Sequence, residues 1–152
     1  MATKKKIKKA LFKAGISRLI DWLGNKGWDT DFDYSVRDEL HPDTKQVSIN
    51  THQGVEKQLY SLLHECGHLL IQQNWNTYEK DYPTAARMNA YATINRQIER
   101  SKKYKVDTLA EEIEAWKRGK TLADRLGVYV DEEKYNALRA ECVYSYVAWA
   151  AK

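Results

Sequence analysis

Residues 61–71 read SLLHECGHLLI, two histidines and a glutamate set in an otherwise apolar run. Burying any one of these ionisable groups without a partner costs several kcal/mol, so a fold that accepts this segment must compensate them. Leu59, Leu62, Leu63, Leu69, Leu70 and Ile71 recur at intervals that predict a helix from about Val55 to Gln73, longer than a strand would run. On that helix His64 and His68 are four residues apart and project from one face, close enough to share a single ion. Zn²⁺ suits neutral imidazole nitrogen, and Glu65 beside the first histidine can serve water at the open position as general base without being a ligand. The bland alternative, two hydrogen-bonded core histidines, needs two separate partners and leaves Glu65 unexplained. Gly67 removes a side chain where another element can press on the helix, and Cys66 reads as a small buried filler.

Two histidines and a water leave one protein ligand to find. No histidine follows His68, and position 74, where an extended H-E-x-x-H-x-x-G-x-x-H pattern needs one, is Asn74. His41 and His52 lie upstream and remain open, and TLAEEIEAW offers Glu111, Glu112 and Glu114. With Leu109 as origin at about 100° per residue, Ile113, Trp116 and Ala123 fall within about 40° of it, and Glu112 borders that stripe at about 300°. Glu111 and Glu114 fall near 200° and 140°, away from it. Thr108 and Glu111 form a T-x-x-E capping box that gives Glu111 a structural role, and Glu114 reads as a solvated charge. Glu112 is the favoured third ligand on this phase, with the others as alternatives.

LLHECGHLL followed by EEIEAW, 44 residues on from His68 to Glu112, resembles the gluzincin metallopeptidases, which pair an H-E-x-x-H helix with a downstream E-x-x-A helix. The short format is similar to the small ImmA/IrrE-like and phage-encoded peptidases. The resemblance implies zinc held by His64, His68 and Glu112, Glu65 as catalytic base, and a peptide or protein substrate. It also implies an α+β, mainly helical, reduced zincin-like fold with a small sheet packed on the active-site helix. Relatives often carry Asp or Asn after the E-x-x-A alanine, where this chain has Trp116. The group that orients a ligand histidine must then come from elsewhere or be missing. A tyrosine can donate to a tetrahedral oxyanion; Tyr78, Tyr82, Tyr144 and Tyr146 are candidates.

The rest of the chain frames this helix. IKKALFKAGISRLIDWL suggests one or two short amphipathic helices with a possible break at Gly15 and Ser17. WDTDFDYSV (28–36) and KQVSIN (45–50) alternate as strands that can pair, joined by a loop through His41 and Pro42. After a polar connection, NWNTYEKDYP, a helix is expected from Thr84 to about Arg100, then a basic turn, SKKYK. Next comes the helix entered at Thr108 and closed by Gly127, and a last one capped by Asp131. At 152 residues with 43% hydrophobic and 30% charged side chains, the chain is expected to be one folded domain, residues 1–152.

No run reaches the ~18 apolar residues of a membrane span, the basic start lacks the apolar core of a secretory signal, and two cysteines make no disulfide framework. A cytoplasmic, membrane-free protein is the expectation. The net charge of +4 is uneven: residues 1–26 hold eight Lys or Arg and one acid, leaving 17 basic and 20 acidic residues for the remainder. Residues 1–6 read as a basic, disordered tail, and KKKIKK and RSKKYK could meet phosphates. A nucleic-acid-binding or protein-interaction module keeping the metal site without turnover is the alternative function.

Overall fold

The computed structural model describes residues 3–91 and 94–152. It is α+β and mainly helical, as expected. Its elements are α1 (Lys4–Asn25), β1 (Asp29–Asp33), β2 (Glu39–His41), β3 (Gln46–Asn50), α2 (Val55–Gln72), α3 (Trp75–Asp81), α4 (Pro83–Asn89), α5 (Arg96–Glu99), α6 (Lys102–Leu126) and α7 (Glu132–Ala150).

The first helix is continuous. Gly15 is no break, since a Cβ there would lie 2.8 Å from Val128 Cγ1 and 3.3 Å from both Leu59 methyls. Its first turn is Lys4–Lys6, capped by the Thr3 hydroxyl, so residues expected in a disordered tail are helical from Lys4 onward. Met1 and Ala2 lie outside the described residues.

The two expected strands do pair, but in parallel, with Asp29 opposite Gln46 and Asp33 opposite Asn50. A third strand that the alternation did not disclose, β2, lies antiparallel on the other side of β3 and takes up Leu40 and His41 of the expected loop. Val47 and Ile49 of β3 are fully buried against the helices, as are Leu19 and Leu23 of α1 and Leu59, Leu62 and Leu63 of α2.

Opposite the sheet, α2 crosses α6 at contact distance. A Cβ on Gly67 would sit 2.0 Å from the Ala115 carbonyl oxygen, and one on Gly119 would sit 2.5 Å from that of Leu63. Any side chain at either position would drive the backbones apart, which is why glycine is tolerated inside both helices despite its cost of about 1 kcal/mol there. α6 begins earlier than expected: Ser101 caps it through Tyr104 N, the SKKYK segment is its entry, and Thr108 lies inside it, so the capping box does not exist. Gly127 ends it at φ 68°, and Asp131 caps α7. The helix expected from Thr84 to Arg100 is two, α4 and α5, the second capped by Asn95; residues 92 and 93 between them lie outside the described residues. The polar connection before them contains α3, capped by Asn74.

Candidate metal centre

Each helix at the crossing supplies ligand-type atoms. His64 and His68 are on α2, and Glu112 reaches them from α6, one turn before the Ala115 contact; one ligand-type atom from each lies within 4.8 Å of the others. His64 Nε2 is 2.7 Å from Glu112 Oε2, His68 Nε2 is 3.0 Å from Glu112 Oε1, and the two imidazole Nε2 atoms are 3.2 Å apart. Of the possible third ligands, Glu112 is the one brought to both histidines. His41 bonds Ser48 Oγ within the sheet and His52 packs edge-on against Tyr34. Glu114 pairs with Arg118 at 3.0 Å, away from the two histidines.

Glu111 is where the sequence reading fails. It is not a cap but a buried carboxylate, 6% exposed, facing the site from beside Glu112. His68 Nδ1–H donates to its Oε2 at 2.5 Å, Gln72 Nε2 donates to the same oxygen at 2.8 Å, and the Tyr78 hydroxyl donates to Oε1 at 2.6 Å. Asn89 in turn donates to the Tyr78 hydroxyl. A carboxylate that Trp116 cannot provide is therefore supplied by Glu111, five residues earlier. Trp116 has another role: its indole stacks on the His64 ring, centroids 4.5 Å apart and planes 15° from parallel. Its Nε1 is the one buried side-chain nitrogen or oxygen left without a partner among the described residues.

These bonds test whether a cation fits. With the Nδ1 proton of His68 committed to Glu111, a neutral ring presents the lone pair of Nε2 to Glu112 Oε1, acceptor against acceptor. Two N–H groups cannot face each other across the gap between His64 and His68 either. Either protons or a shared cation must reconcile the three groups. Without a cation the histidines carry the burden. Burial alone would lower both imidazole pKa values, but the hydrogen bonds to Glu111 and Glu112 at His68, and to Glu112 and Glu65 at His64, outweigh it and raise both. Glu111 and Glu112 are driven the other way: burial would raise them, but the histidine bonds win and hold both below the usual carboxylate range.

Glu65 is 6% exposed, lies 3.5 Å from His64 Nδ1 through Oε1, and lines the cleft without belonging to the cluster. The cleft, about 410 Å³, is lined by residues of β2, α2, α3, α4, α6 and α7. Tyr146 of α7 lines it, and burial together with the neighbouring Glu112 raises its pKa. Tyr78 is engaged by Glu111, Tyr82 lines a separate depression with Arg118, and Tyr144 is 73% exposed. Cys66 is fully buried, and burial pushes its thiol pKa up, as a filler's would be.

A group of two histidines and a glutamate able to hold a metal ion is what the fold defines here. No protein-family model matches the sequence, and neither curated proteins nor solved structures yield a match. No helix among the described residues is long and apolar enough to cross a membrane.

Proposed function

We propose that the protein is a zinc-dependent peptidase of reduced zincin type, with His64, His68 and Glu112 as metal ligands. The observation that carries this reading is the convergence of two imidazole nitrogens and one carboxylate, from facing helices, in the lining of a cleft. Two nitrogens and one oxygen are a donor set that zinc accepts while leaving a position open. Bound there, Zn²⁺ supplies a Lewis acid that activates water and polarises a carbonyl. Glu65 takes the proton of the attacking water and hands it to the leaving amine. Glu111 fixes the tautomer and ring direction of His68, so that Nε2 faces the cleft as a lone pair. Tyr146, whose ring lines the same cleft, is the tyrosine best placed to donate to a developing oxyanion.

The test is elemental analysis of protein purified without added metal, joined to hydrolysis of internally quenched peptides. The expected results are about one zinc per chain and loss of most hydrolysis in Glu65→Gln with zinc retained. Metal-free protein that folds normally and takes up no zinc, or full activity in Glu65→Gln, overturns the proposal. A second reading has one observation in its favour: α1 displays Lys4, Lys5, Lys6, Lys9 and Lys13 to solvent on an ordered helix. Retention of DNA or RNA that falls steeply with salt would add a nucleic-acid-binding role.

A further inference from the structure

A second cavity, about 390 Å³, adjoins the metal cleft. Leu40 of β2 and Gln72 of α2 line both, so the two are divided by little more than those side chains. Their polarity is opposite. Asp38, Glu39, Glu65, Glu111 and Glu112 line the metal cleft, with no lysine or arginine among its lining residues. The second cavity has an apolar lining of Trp28, Pro42 and Leu69, and its charged lining residues are Lys26 and Lys45, with no acid among them. Lys26 is steadied by neutral groups, its Nζ lying 4.9 Å over the Trp22 ring and 3.5 Å from Gln73 Oε1. Lys45 stands in the turn between β2 and β3 at φ 52°, the one non-glycine positive φ among the described residues. Glycine or asparagine holds that conformation at lower cost, so the turn keeps a lysine at the rim at some expense in stability.

We propose that this cavity is a subsite for an acidic side chain, aspartate or glutamate, of a peptide substrate. The inference rests on the peptidase reading above. Around the metal cleft no lysine or arginine is offered to a substrate side-chain carboxylate, and Asp38 and Glu39 stand beside Leu40, whereas past Leu40 and Gln72 it meets two ammonium groups over an apolar floor that accommodates its methylene stem. Position follows as well. Leu69, Gln72 and Gln73 follow His68 on α2 by one to five residues, up to about 8 Å along the axis at about 1.5 Å per residue. An extended peptide covers that distance in two or three residues at about 3.3 Å each. The acidic residue therefore lies two or three positions from the cleaved bond.

The test uses internally quenched peptides with both termini blocked, identical except for Glu, Gln or Lys scanned through four positions on either side of the cleaved bond. Wild type is compared with the double variant Lys26→Glu/Lys45→Glu, whose two sites are exposed and outside the catalytic machinery. Wild type is expected to favour Glu over Gln about fivefold in kcat/KM at one position two or three residues from the bond, less so at high salt. The double variant should favour Lys there, each preference being read as the ratio to the all-Gln peptide in the same protein. A flat profile, the same profile in both proteins, or a preference that appears only with a free C-terminal carboxylate overturns the subsite while leaving the peptidase reading intact. If wild type cleaves no peptide, that reading fails. The subsite is then judged by fluorescence anisotropy of labelled Glu and Gln peptides: equal binding, or binding unchanged by the double variant, overturns it.

Discussion

Glu111→Ala separates the observed site from the cap that the sequence suggests. A cap residue lost from the first turn of a helix costs about 1 kcal/mol and leaves a site elsewhere untouched. In the structure the same substitution removes the acceptor for His68 Nδ1, Gln72 Nε2 and the Tyr78 hydroxyl together. Tyr78 is 1% exposed, so its hydroxyl hydrogen cannot turn to solvent, and Asn89 already donates to its oxygen. Three bonds to a charged acceptor, each about 1.5–3 kcal/mol, are lost, and relief of the buried carboxylate's desolvation offsets part of that. The net expectation is the about 3–5 kcal/mol typical of breaking a buried ionic pair. At about 2–4 °C per kcal/mol for a chain of this size, the thermal midpoint should fall by about 6–20 °C. Zinc affinity should fall about 10- to 100-fold, because His68 loses the bond that points its Nε2 into the site. Glu111→Gln keeps one acceptor oxygen and should lie between alanine and wild type in both quantities. Calorimetry with and without zinc, and competition against a chelating dye, measure both. A stability loss under about 1 kcal/mol, a midpoint shift of no more than about 2–4 °C, with zinc affinity unchanged would refute the orienting role.

Glu112→Ala removes a proposed ligand and should reduce zinc affinity far more than Glu114→Ala, which removes only a partly exposed i, i+4 pair with Arg118 and should shift stability by no more than about 0.5 kcal/mol; equal effects in a zinc titration would contradict the assignment. Gly67→Ala places a methyl 2.0 Å from the Ala115 carbonyl oxygen, so the helices must part or distort. The expected cost is about 1–3 kcal/mol together with weaker zinc binding, and an unchanged midpoint would show that the crossing is looser than described. In metal-free protein the raised histidine pKa values give stability that is full below the unfolded value of 6.5 and lost as pH rises through the folded values. The lowered glutamates give stability that is full above 4.5 and lost as pH falls through their folded values. The site's contribution to the metal-free midpoint should therefore peak between those two pH values, while the increment from added zinc should grow as pH rises and proton competition fades; parallel pH profiles with and without zinc would contradict this.

The metal helix was legible because its signal is redundant: the 3.6-residue apolar period, the i, i+4 histidines and Gly67 all point to one buried face. The role of Glu111 was not legible, for a definable reason. Anchoring the phase of α6 on Leu109 and Ile113 puts the buried stripe near 0°, yet Ile113 is 37% exposed and the buried residues Glu111, Glu112, Ala115, Trp116, Gly119, Leu122 and Ala123 centre near 270° on the same wheel at about 100° per residue, which brings Glu111 inside the buried arc. Ala115, Gly119 and Ala123, small residues every fourth position, mark the face that approaches α2 most closely, and that spacing is present in the sequence. The entry of α6 was hidden by its own composition, since lysines in a first turn oppose the helix dipole and read as loop. The strand β2 has three residues with Leu40 as its one large apolar side chain, too short for alternation to show, so the sheet's third member and its order appear only when the chain is folded.

The close crossing also explains how so few residues build the centre. Consecutive residues on a helix diverge by about 100°, so Glu111 and Glu112 cannot both aim at one point on a facing helix. Held at the separation that Gly67 and Gly119 permit, they reach opposite nitrogens of the same ring instead, Glu112 to His68 Nε2 and Glu111 to His68 Nδ1. One dipeptide thus supplies both a candidate ligand and the group that orients another. A wider helix spacing would have to lengthen both reaches at once, and a carboxylate side chain has no slack for that beyond its own rotamers. The glycines are therefore as much part of the site as His64, His68 and Glu112, and a variant that restores packing at position 67 without restoring the spacing should regain stability before it regains zinc affinity.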